Sequence, residues 1–150
     1  MTAEQKMDVV IVDDDPGHIE LVRRNFKRAG INNNVVALDS GRAALDYVFH
    51  RGAYEGRTKG HILILLDINM PGGLNGVEVL RQIKGHPEKR RIPVIMLTTT
   101  DDPREVERCY ALGCNVYMTK PVDPASFIEA ATRLGLFISV VCVPEEGGST

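Results

Sequence analysis

Five short apolar segments rich in β-branched residues alternate along the chain with segments of helical periodicity. The apolar segments lie at 7–12, 35–38, 62–66, 94–97 and 116–118. The helical segments that follow them begin at or near Pro16, Ser40, Val77, Pro103 and Pro124. We expect Asp15 to cap the first helix, Gly30 to end it and Ser40 to cap the second helix. Strict alternation of strand and helix predicts a parallel sheet, because right-handed crossovers place helices on both of its faces.

The third apolar segment, ILILL at 62–66, lacks polar residues altogether, which is typical of a central strand covered on both faces. We therefore predict an α/β fold: a doubly wound five-stranded parallel sheet in the flavodoxin-like order 2-1-3-4-5. Sheets of this kind bind ligands beyond the carboxyl ends of their strands, near the switch point between the first and third strands. Functional residues are therefore expected at the strand ends.

The length of 150 residues leaves room for one globular domain. We assign 1–6 to a polar N-terminal tail, 7–135 to the domain and 136–150 to a C-terminal extension with a disordered tail. The extension opens with an apolar run at 136–143, which is predicted to be either helix or strand. It covers either the chain's own core or that of a second copy, so a homodimer is one predicted assembly. The loop at 51–61 is interpreted as a surface excursion rather than a partner contact.

The composition argues against two classes of partner. A formal net charge of −2 and a pI near 6.1 give no basic excess for binding nucleic acid. No apolar run reaches the roughly 18 residues of a membrane span. The three cysteines form no C-x-x-C pair, and an odd count without a secretory signal favours free, partly buried thiols. These features predict a cytoplasmic protein that binds neither nucleic acid nor membrane.

Polar residues stand at the ends of four predicted strands. Asp13 and Asp14 follow the first strand, Asp67 the third, Thr98 the fourth and Lys120 the fifth. One such acid alone is more often a helix cap or a turn former. Three carboxylates at one edge of the sheet repel one another and need a cation. Carboxylate and carbonyl oxygens suit Mg²⁺, and none of the four histidines has the ligand spacing of a zinc site.

A lysine and a threonine beside these acids point to phosphoryl chemistry. The oxygens of a phosphoryl group are neutralised by a metal, by an ammonium and by hydroxyl or amide donors, and Lys120 and Thr98 supply the last two. Asp67 is the best candidate nucleophile because it ends the central strand, and carboxylates are known to form aspartyl phosphates. The backbone carbonyl of Asn69 is expected to join Asp13, Asp14 and Asp67 as a metal ligand.

Four motifs resemble those of response-regulator receiver domains, and they stand in order over about 7–134. They are IVDDDP at 11–16, LLDINMPG at 65–72, IPVIMLTTT at 92–100 and YMTKP at 117–121. The resemblance implies that Asp13 and Asp14 are the acidic metal pair, that Asp67 is the phosphoacceptor and that Lys120 is the family's lysine.

The same resemblance implies conformational and kinetic roles for further residues. Thr98 would be the switch hydroxyl, and Tyr117 the aromatic switch, although Tyr117 also fits an ordinary core tyrosine. Asn69 and Thr100 flank the site and are predicted to set the rate at which water attacks the acyl phosphate. Pro121 would correspond to the family's cis proline.

The function that this resemblance implies is a phosphorylation switch. A phosphoryl group would pass from the phosphohistidine of a sensor histidine kinase or a histidine phosphotransfer protein to Asp67, and the changed surface would bind a downstream protein target. Such a switch is not an enzyme in the usual sense, although it catalyses its own phosphorylation and dephosphorylation. The long loop at 51–61, the segment GHPEKRRIPV at 85–94 and the apolar extension more narrowly resemble single-domain regulators that partner phytochrome-type histidine kinases. The extra glycine in MPGGLNG at 70–76 departs from that pattern.

Three alternative functions compete with this one. A haloacid-dehalogenase-like phosphatase also attacks with a strand-end aspartate, but it needs a second aspartate where this chain has Asn69. A nucleotide-binding fold lacks support, because no G-x-x-x-x-G-K-[ST] sequence is present. A phosphorylation-independent interaction module on the same fold would typically lose an acid or the lysine, and here all are kept.

Overall fold

The computed structural model describes residues 7–57, 60–70, 73–99 and 102–135. Its centre is a parallel sheet of five strands in the order β2-β1-β3-β4-β5. The strands are β1 (Asp8–Val12), β2 (Val35–Leu38), β3 (Ile62–Asp67), β4 (Val94–Thr98) and β5 (Val116–Thr119). The predicted fold class and strand order are confirmed.

Five helices connect and cover the strands: α1 (Pro16–Arg28), α2 (Gly41–Val48), α3 (Gly76–Lys84), α4 (Pro103–Ala111) and α5 (Pro124–Arg133). Each helix begins after a residue whose side chain accepts a hydrogen bond from a backbone N–H of the first turn, which satisfies a donor that the helix leaves open. These capping residues are Asp15, Ser40, Asn75, Asp102 and Asp123. The predicted caps of α1 and α2 are confirmed, and Gly30 follows the end of α1 with a φ of 81°.

The core forms two apolar layers, one on each face of the sheet. All six residues of β3 are buried, as expected for a central strand with helices on both sides. On one face, Phe26 of α1 packs against Phe127 of α5 with ring centroids 4.6 Å apart. Because β3 is covered on both faces, it is held in place together with Asp67 at its carboxyl end.

The connections described in the structure bear on three further predictions. Residues 52–54 of the long loop form a short 3₁₀ helix, and the Arg57 guanidinium lies over the Tyr47 ring at 3.9 Å, so this part of the loop is held against the domain. Cys109 and Cys114 are free and buried, and burial raises the pKa of the Cys114 thiol to about 12. Among the described residues, no helix has the length and apolar character needed to cross a bilayer.

Several predictions fall outside the described residues. They concern the tail at 1–6, the extension at 136–150 with Cys142, the homodimer that this extension would support, and the Pro71-Gly72 half of the glycine-rich loop. They stay predictions.

Gly76 allows α3 to begin directly against the end of β3. Its N–H donates to the carbonyl oxygen of Ile68 at 3.0 Å. A Cβ at this position would overlap the carbonyl oxygen of Asp67 and lie 2.9 Å from both the Asp67 carbonyl carbon and the Ile68 Cα. These neighbours are backbone atoms in the middle of the fold, so they cannot move aside as a flexible side chain would.

We expect Gly76→Ala to lower the free energy of unfolding by about 1–3 kcal/mol, the usual effect of forcing extra atoms into a packed site. The measurement is urea denaturation followed by circular dichroism. Gly56→Ala is the matched control, because among the described residues no atom beyond its two chain neighbours lies within 4 Å of the Cβ it would add. Equal stability of the two variants would contradict the close approach.

Candidate functional site

The carboxyl ends of β1 and β3 bring three aspartates together. Asp13 and Asp14 follow β1, and Asp67 is the last residue of the adjacent β3. One carboxylate oxygen from each lies within 4.8 Å of the others. Asp13 is fully buried, Asp67 is 3% exposed and Asp14 is exposed. The cluster therefore faces solvent through Asp14 and meets the core through the other two.

Lys120 bridges the two buried acids. Its Nζ lies 3.0 Å from Asp13 Oδ2 and 3.3 Å from Asp67 Oδ2, and only 13% of its side chain is exposed. Its backbone N–H donates to the Thr98 carbonyl at 2.7 Å, which ties the end of β5 to the end of β4. The peptide bond from Lys120 to Pro121 is cis, as the resemblance implies.

The two buried acids respond differently to this setting. Burial raises the pKa of Asp67, and the nearby Asp13 carboxylate raises it further, more than Lys120 and the Asn69 N–H lower it. Burial alone would raise the pKa of Asp13 as well. However, hydrogen bonds from His18, from the Asp15 backbone and from Lys120 outweigh burial, so the pKa of Asp13 lies below its ordinary value.

The charge at the site is incompletely balanced by the chain's own groups. With the three acids ionised, Lys120 compensates one negative charge and leaves two. All the clustered donors are hard oxygen atoms, which is the donor set that divalent Mg²⁺, Mn²⁺ or Ca²⁺ prefers. A divalent cation therefore fits the site in both charge and ligand chemistry.

The other predicted site residues lie around this cluster. The Asn69 N–H donates to Asp67 Oδ1 at 3.3 Å, while its side chain is exposed. Thr98 is fully buried at the end of β4 and shares a hydrogen bond with the Tyr117 hydroxyl, which also donates to Glu105 Oε1 at 3.5 Å. Thr100 lies outside the described residues.

Sequence reasoning missed two residues of this site. The motifs do not include Glu105, although it connects Tyr117 to α4. The sequence spacing tests His18 only as a metal ligand, yet its Nδ1 lies 2.6 Å from Asp13 Oδ2. The available signal was helical spacing: His18 stands four residues before Val22 and eight before Phe26 on the buried face of α1.

Comparison with known proteins identifies this arrangement. The family model for the response regulator receiver domain matches residues 9–132. The chain belongs to the response regulator receiver family. Response regulators act in two-component signalling, in which phosphorylation of an aspartate is the standard mechanism, and this chain is one of them.

Known response regulators are similar to this chain over most of their own length. Response regulator Rcp1 of Synechocystis sp. is 37% identical over 112 residues, which is 75% of this chain and 75% of Rcp1. The structure of the bacteriophytochrome response regulator AtBRR matches with a TM-score of 0.81 at 34% identity, over 94% of this chain and 99% of AtBRR. The Mn(2+)-bound form of Rcp1 matches with a TM-score of 0.72 at 31% identity, over 93% of this chain and 99% of that one. The predicted resemblance to phytochrome-associated regulators is confirmed.

Membership of this family decides between the alternatives. The dehalogenase-like phosphatase and the nucleotide-binding fold are set aside, because the family model matches residues 9–132, which include the site and nearly all of the sheet and the five helices. The site of this response regulator can bind a divalent metal ion through Asp13, Asp14 and Asp67.

Asp67→Asn should stabilise the metal-free response regulator at neutral pH. A carboxyl whose folded-state pKa is raised costs stability once it is ionised, so this cost is absent below the unfolded-state pKa and complete above the folded-state pKa. The variant should therefore unfold at higher urea concentration in EDTA at pH 7, and its advantage should shrink as the pH falls into the acid range. Lys120 keeps its partner Asp13 in the variant.

The matched control is Asp39→Asn, which changes an exposed acid just after the neighbouring β2. We expect it to leave the urea midpoint unchanged. A lower midpoint for Asp67→Asn than for the unchanged protein would contradict the electrostatic account.

Proposed function

We propose that this response regulator accepts a phosphoryl group on Asp67, with Mg²⁺ bound by Asp13, Asp14, Asp67 and the backbone carbonyl of Asn69. The observation that carries the proposal is the position of Lys120. Its ammonium contacts Asp13 and Asp67, and it leaves part of the negative charge of the cluster uncompensated. A purely structural ion pair would not need the third, exposed acid. The cation, when bound, would supply neutralisation of the transferring phosphoryl oxygens.

The residues of the chain itself have clear tasks in this reaction. The Asp67 carboxylate oxygen attacks the phosphorus atom of a phosphohistidine, the new P–O bond forms as the P–N bond breaks, and the electron pair of that bond stays on the imidazole nitrogen of the donor. Asp67 stands at the carboxyl end of β3, where its carboxylate is held beside Lys120 and the Asn69 N–H. The Lys120 ammonium, which contacts the Asp67 carboxylate, would pair with the phosphoryl oxygens once the negative charge has moved onto them. Attack of water on phosphorus would then break the P–O bond to Asp67, return its carboxylate and release inorganic phosphate, with Asn69 and Thr100 tuning the rate.

The output of the switch is a change of surface. Thr98 would reorient its hydroxyl toward the phosphoryl group and release its hydrogen bond with Tyr117. Tyr117, which also contacts Glu105, would then move relative to α4. The face formed by α4 and β5 would change its shape and its hydrogen-bonding groups, and a downstream protein target would recognise it.

The proposed phosphodonor is a phytochrome-type sensor histidine kinase or a histidine phosphotransfer protein. Similarity to the bacteriophytochrome response regulator AtBRR and to Rcp1 supports this choice. A protein partner rather than nucleic acid suits the net charge of −2.

We further propose a cytoplasmic location, which the free thiols of Cys109 and Cys114 support. We also propose a homodimer through residues 136–143 as a second mode of output.

A phosphorylation-independent interaction module is the competing function. It would need the α4–β5 face but not the acidic cluster, so retention of Asp13, Asp14, Asp67 and Lys120 together favours the switch.

Asp67→Asn should abolish labelling by acetyl phosphate in the presence of Mg²⁺, because an amide oxygen is a far weaker nucleophile than a carboxylate. Intact-mass spectrometry measures the added phosphoryl group. Asp39→Asn is the matched control and should be labelled like the unchanged protein. Full labelling of Asp67→Asn would show that another residue is the acceptor.

Thr98→Val should keep labelling but interrupt the conformational response, since valine preserves the volume of the side chain and removes the hydroxyl. We expect Mg²⁺ with beryllofluoride, a phosphoryl mimic, to shift the backbone NMR signals of α4 and β5 in the unchanged protein and to shift them much less in the variant. Thr119→Val, at an exposed position at the end of β5, is the control. Identical shifts in all three proteins would rule out the role of Thr98.

A further inference from the structure

His18 connects the acidic cluster to the loop that follows β5. Its side chain is 5% exposed, and the residue lies in the first turn of α1. Nδ1 lies 2.6 Å from Asp13 Oδ2, and Nε2 accepts a hydrogen bond from the backbone N–H of Val122 at 3.3 Å. Val122 stands two residues after Lys120, whose Nζ contacts the same Asp13 oxygen. These contacts form a closed hydrogen-bond network, named here the His18 network, which joins Asp13, His18, Val122 and Lys120.

The partners of the ring determine where its proton lies. A backbone N–H can only donate, so Nε2 must present its lone pair to Val122. Nδ1 then carries the hydrogen and donates it to the Asp13 carboxylate. Donation in the His18 network therefore runs in one direction: the Val122 amide donates to the imidazole, and the imidazole donates to Asp13. Both nitrogens of the buried ring thus have a partner.

Two side chains of the described residues donate to Asp13: His18, at 2.6 Å, and Lys120, at 3.0 Å. Its Oδ1 accepts the Asp15 N–H at 2.9 Å, and its Oδ2 accepts from both His18 and Lys120. In the proposed function, Lys120 turns toward the phosphoryl oxygens after transfer. His18 is then the side-chain donor that continues to orient the Asp13 carboxylate.

We propose that His18 is a positioning residue of the metal site, which holds Asp13 in the orientation for binding a divalent cation and is itself held by the loop that carries Lys120. The inference rests on the proposed function, because it requires a cation at Asp13. Hydrogen-bond partners of metal-binding groups fix the orientation of the ligand, and their loss commonly weakens metal affinity by about 10- to 100-fold.

Three substitutions separate the two hydrogen bonds of His18. In His18→Asn the amide nitrogen occupies the position of Nδ1, so the donor to Asp13 is kept and the acceptor for Val122 is lost. In His18→Gln the amide reaches the position of Nε2, so the acceptor is kept and the donor is lost. His18→Leu removes both. His61→Gln, at an exposed residue before β3, controls for the substitution itself.

The measurement is Mn²⁺ affinity, determined from the free Mn²⁺ signal in electron paramagnetic resonance, with unfolding by urea recorded for each variant. We expect His18→Gln and His18→Leu to bind Mn²⁺ about tenfold or more weakly. His18→Asn and His61→Gln should stay within about threefold of the unchanged protein. This difference between Asn and Gln separates positioning from packing, because both replacements disturb the buried site.

The outcomes distinguish this inference from the proposed function. If the unchanged protein binds Mn²⁺, and His18→Gln and His18→Leu bind it as tightly as the unchanged protein does, the role of His18 alone is overturned. Equal weakening in His18→Asn and His18→Gln would overturn it too, by assigning the effect to packing. Absence of Mn²⁺ binding by the unchanged protein would overturn the metal site and this inference together.

A second measurement needs no substitution. Long-range ¹H–¹⁵N NMR of the unchanged protein reports which ring nitrogen carries the hydrogen. We expect His18 to give the signature of an Nδ1-protonated, Nε2-unprotonated ring. The reverse tautomer would overturn the proposal, because Nδ1 could then not donate to Asp13.

Discussion

Repulsion between buried carboxylates, relieved by Lys120, is the interaction on which the rest of this site depends. Two unit charges about 4 Å apart near a protein surface interact by about 4 kcal/mol. A whole domain is stable by only about 5–15 kcal/mol. A cluster such as Asp13, Asp14 and Asp67 therefore cannot be left without cations, and the chain supplies one of them in Lys120. The remaining charge is what a divalent ion would neutralise.

The sheet provides the rigidity that holds like charges together. Asp67 ends a strand in which every residue is buried, and its neighbour Ile68 donates to the Leu97 carbonyl, so the backbone at the proposed phosphoacceptor is paired on the β4 side. Gly76 brings α3 against the same backbone. The acids thus stand on elements with little freedom to separate, and the repulsion by Asp13 contributes to the raised pKa of Asp67.

The elements of the fold could be predicted from local sequence because each is encoded locally. The β-branched runs specify the strands, and Asp15 and Ser40 mark helix starts by side-chain hydrogen bonds within three residues. Strand alternation also predicts which acids share an edge. The hydrogen bonds of His18, 5 residues from Asp13 and 104 from Val122, could not be predicted in this way. They depend on how α1 and the loop after β5 pack on the sheet, and periodicity indicates only that His18 faces inward.

The same tertiary contacts explain why neighbouring aspartates are suited to different tasks. Asp13 accepts hydrogen bonds from Asp15, His18 and Lys120, and these donors keep it ionised despite its complete burial. Asp67 has fewer and longer contacts, at 3.3 Å from both the Asn69 N–H and Lys120 Nζ, and its pKa is raised. A carboxylate with several hydrogen-bond donors is held in one orientation and suits a metal ligand, whereas one with few donors keeps an oxygen available to attack phosphorus as well. In the proposed function the different roles of Asp13 and Asp67 therefore follow from the number of hydrogen bonds that each carboxylate accepts.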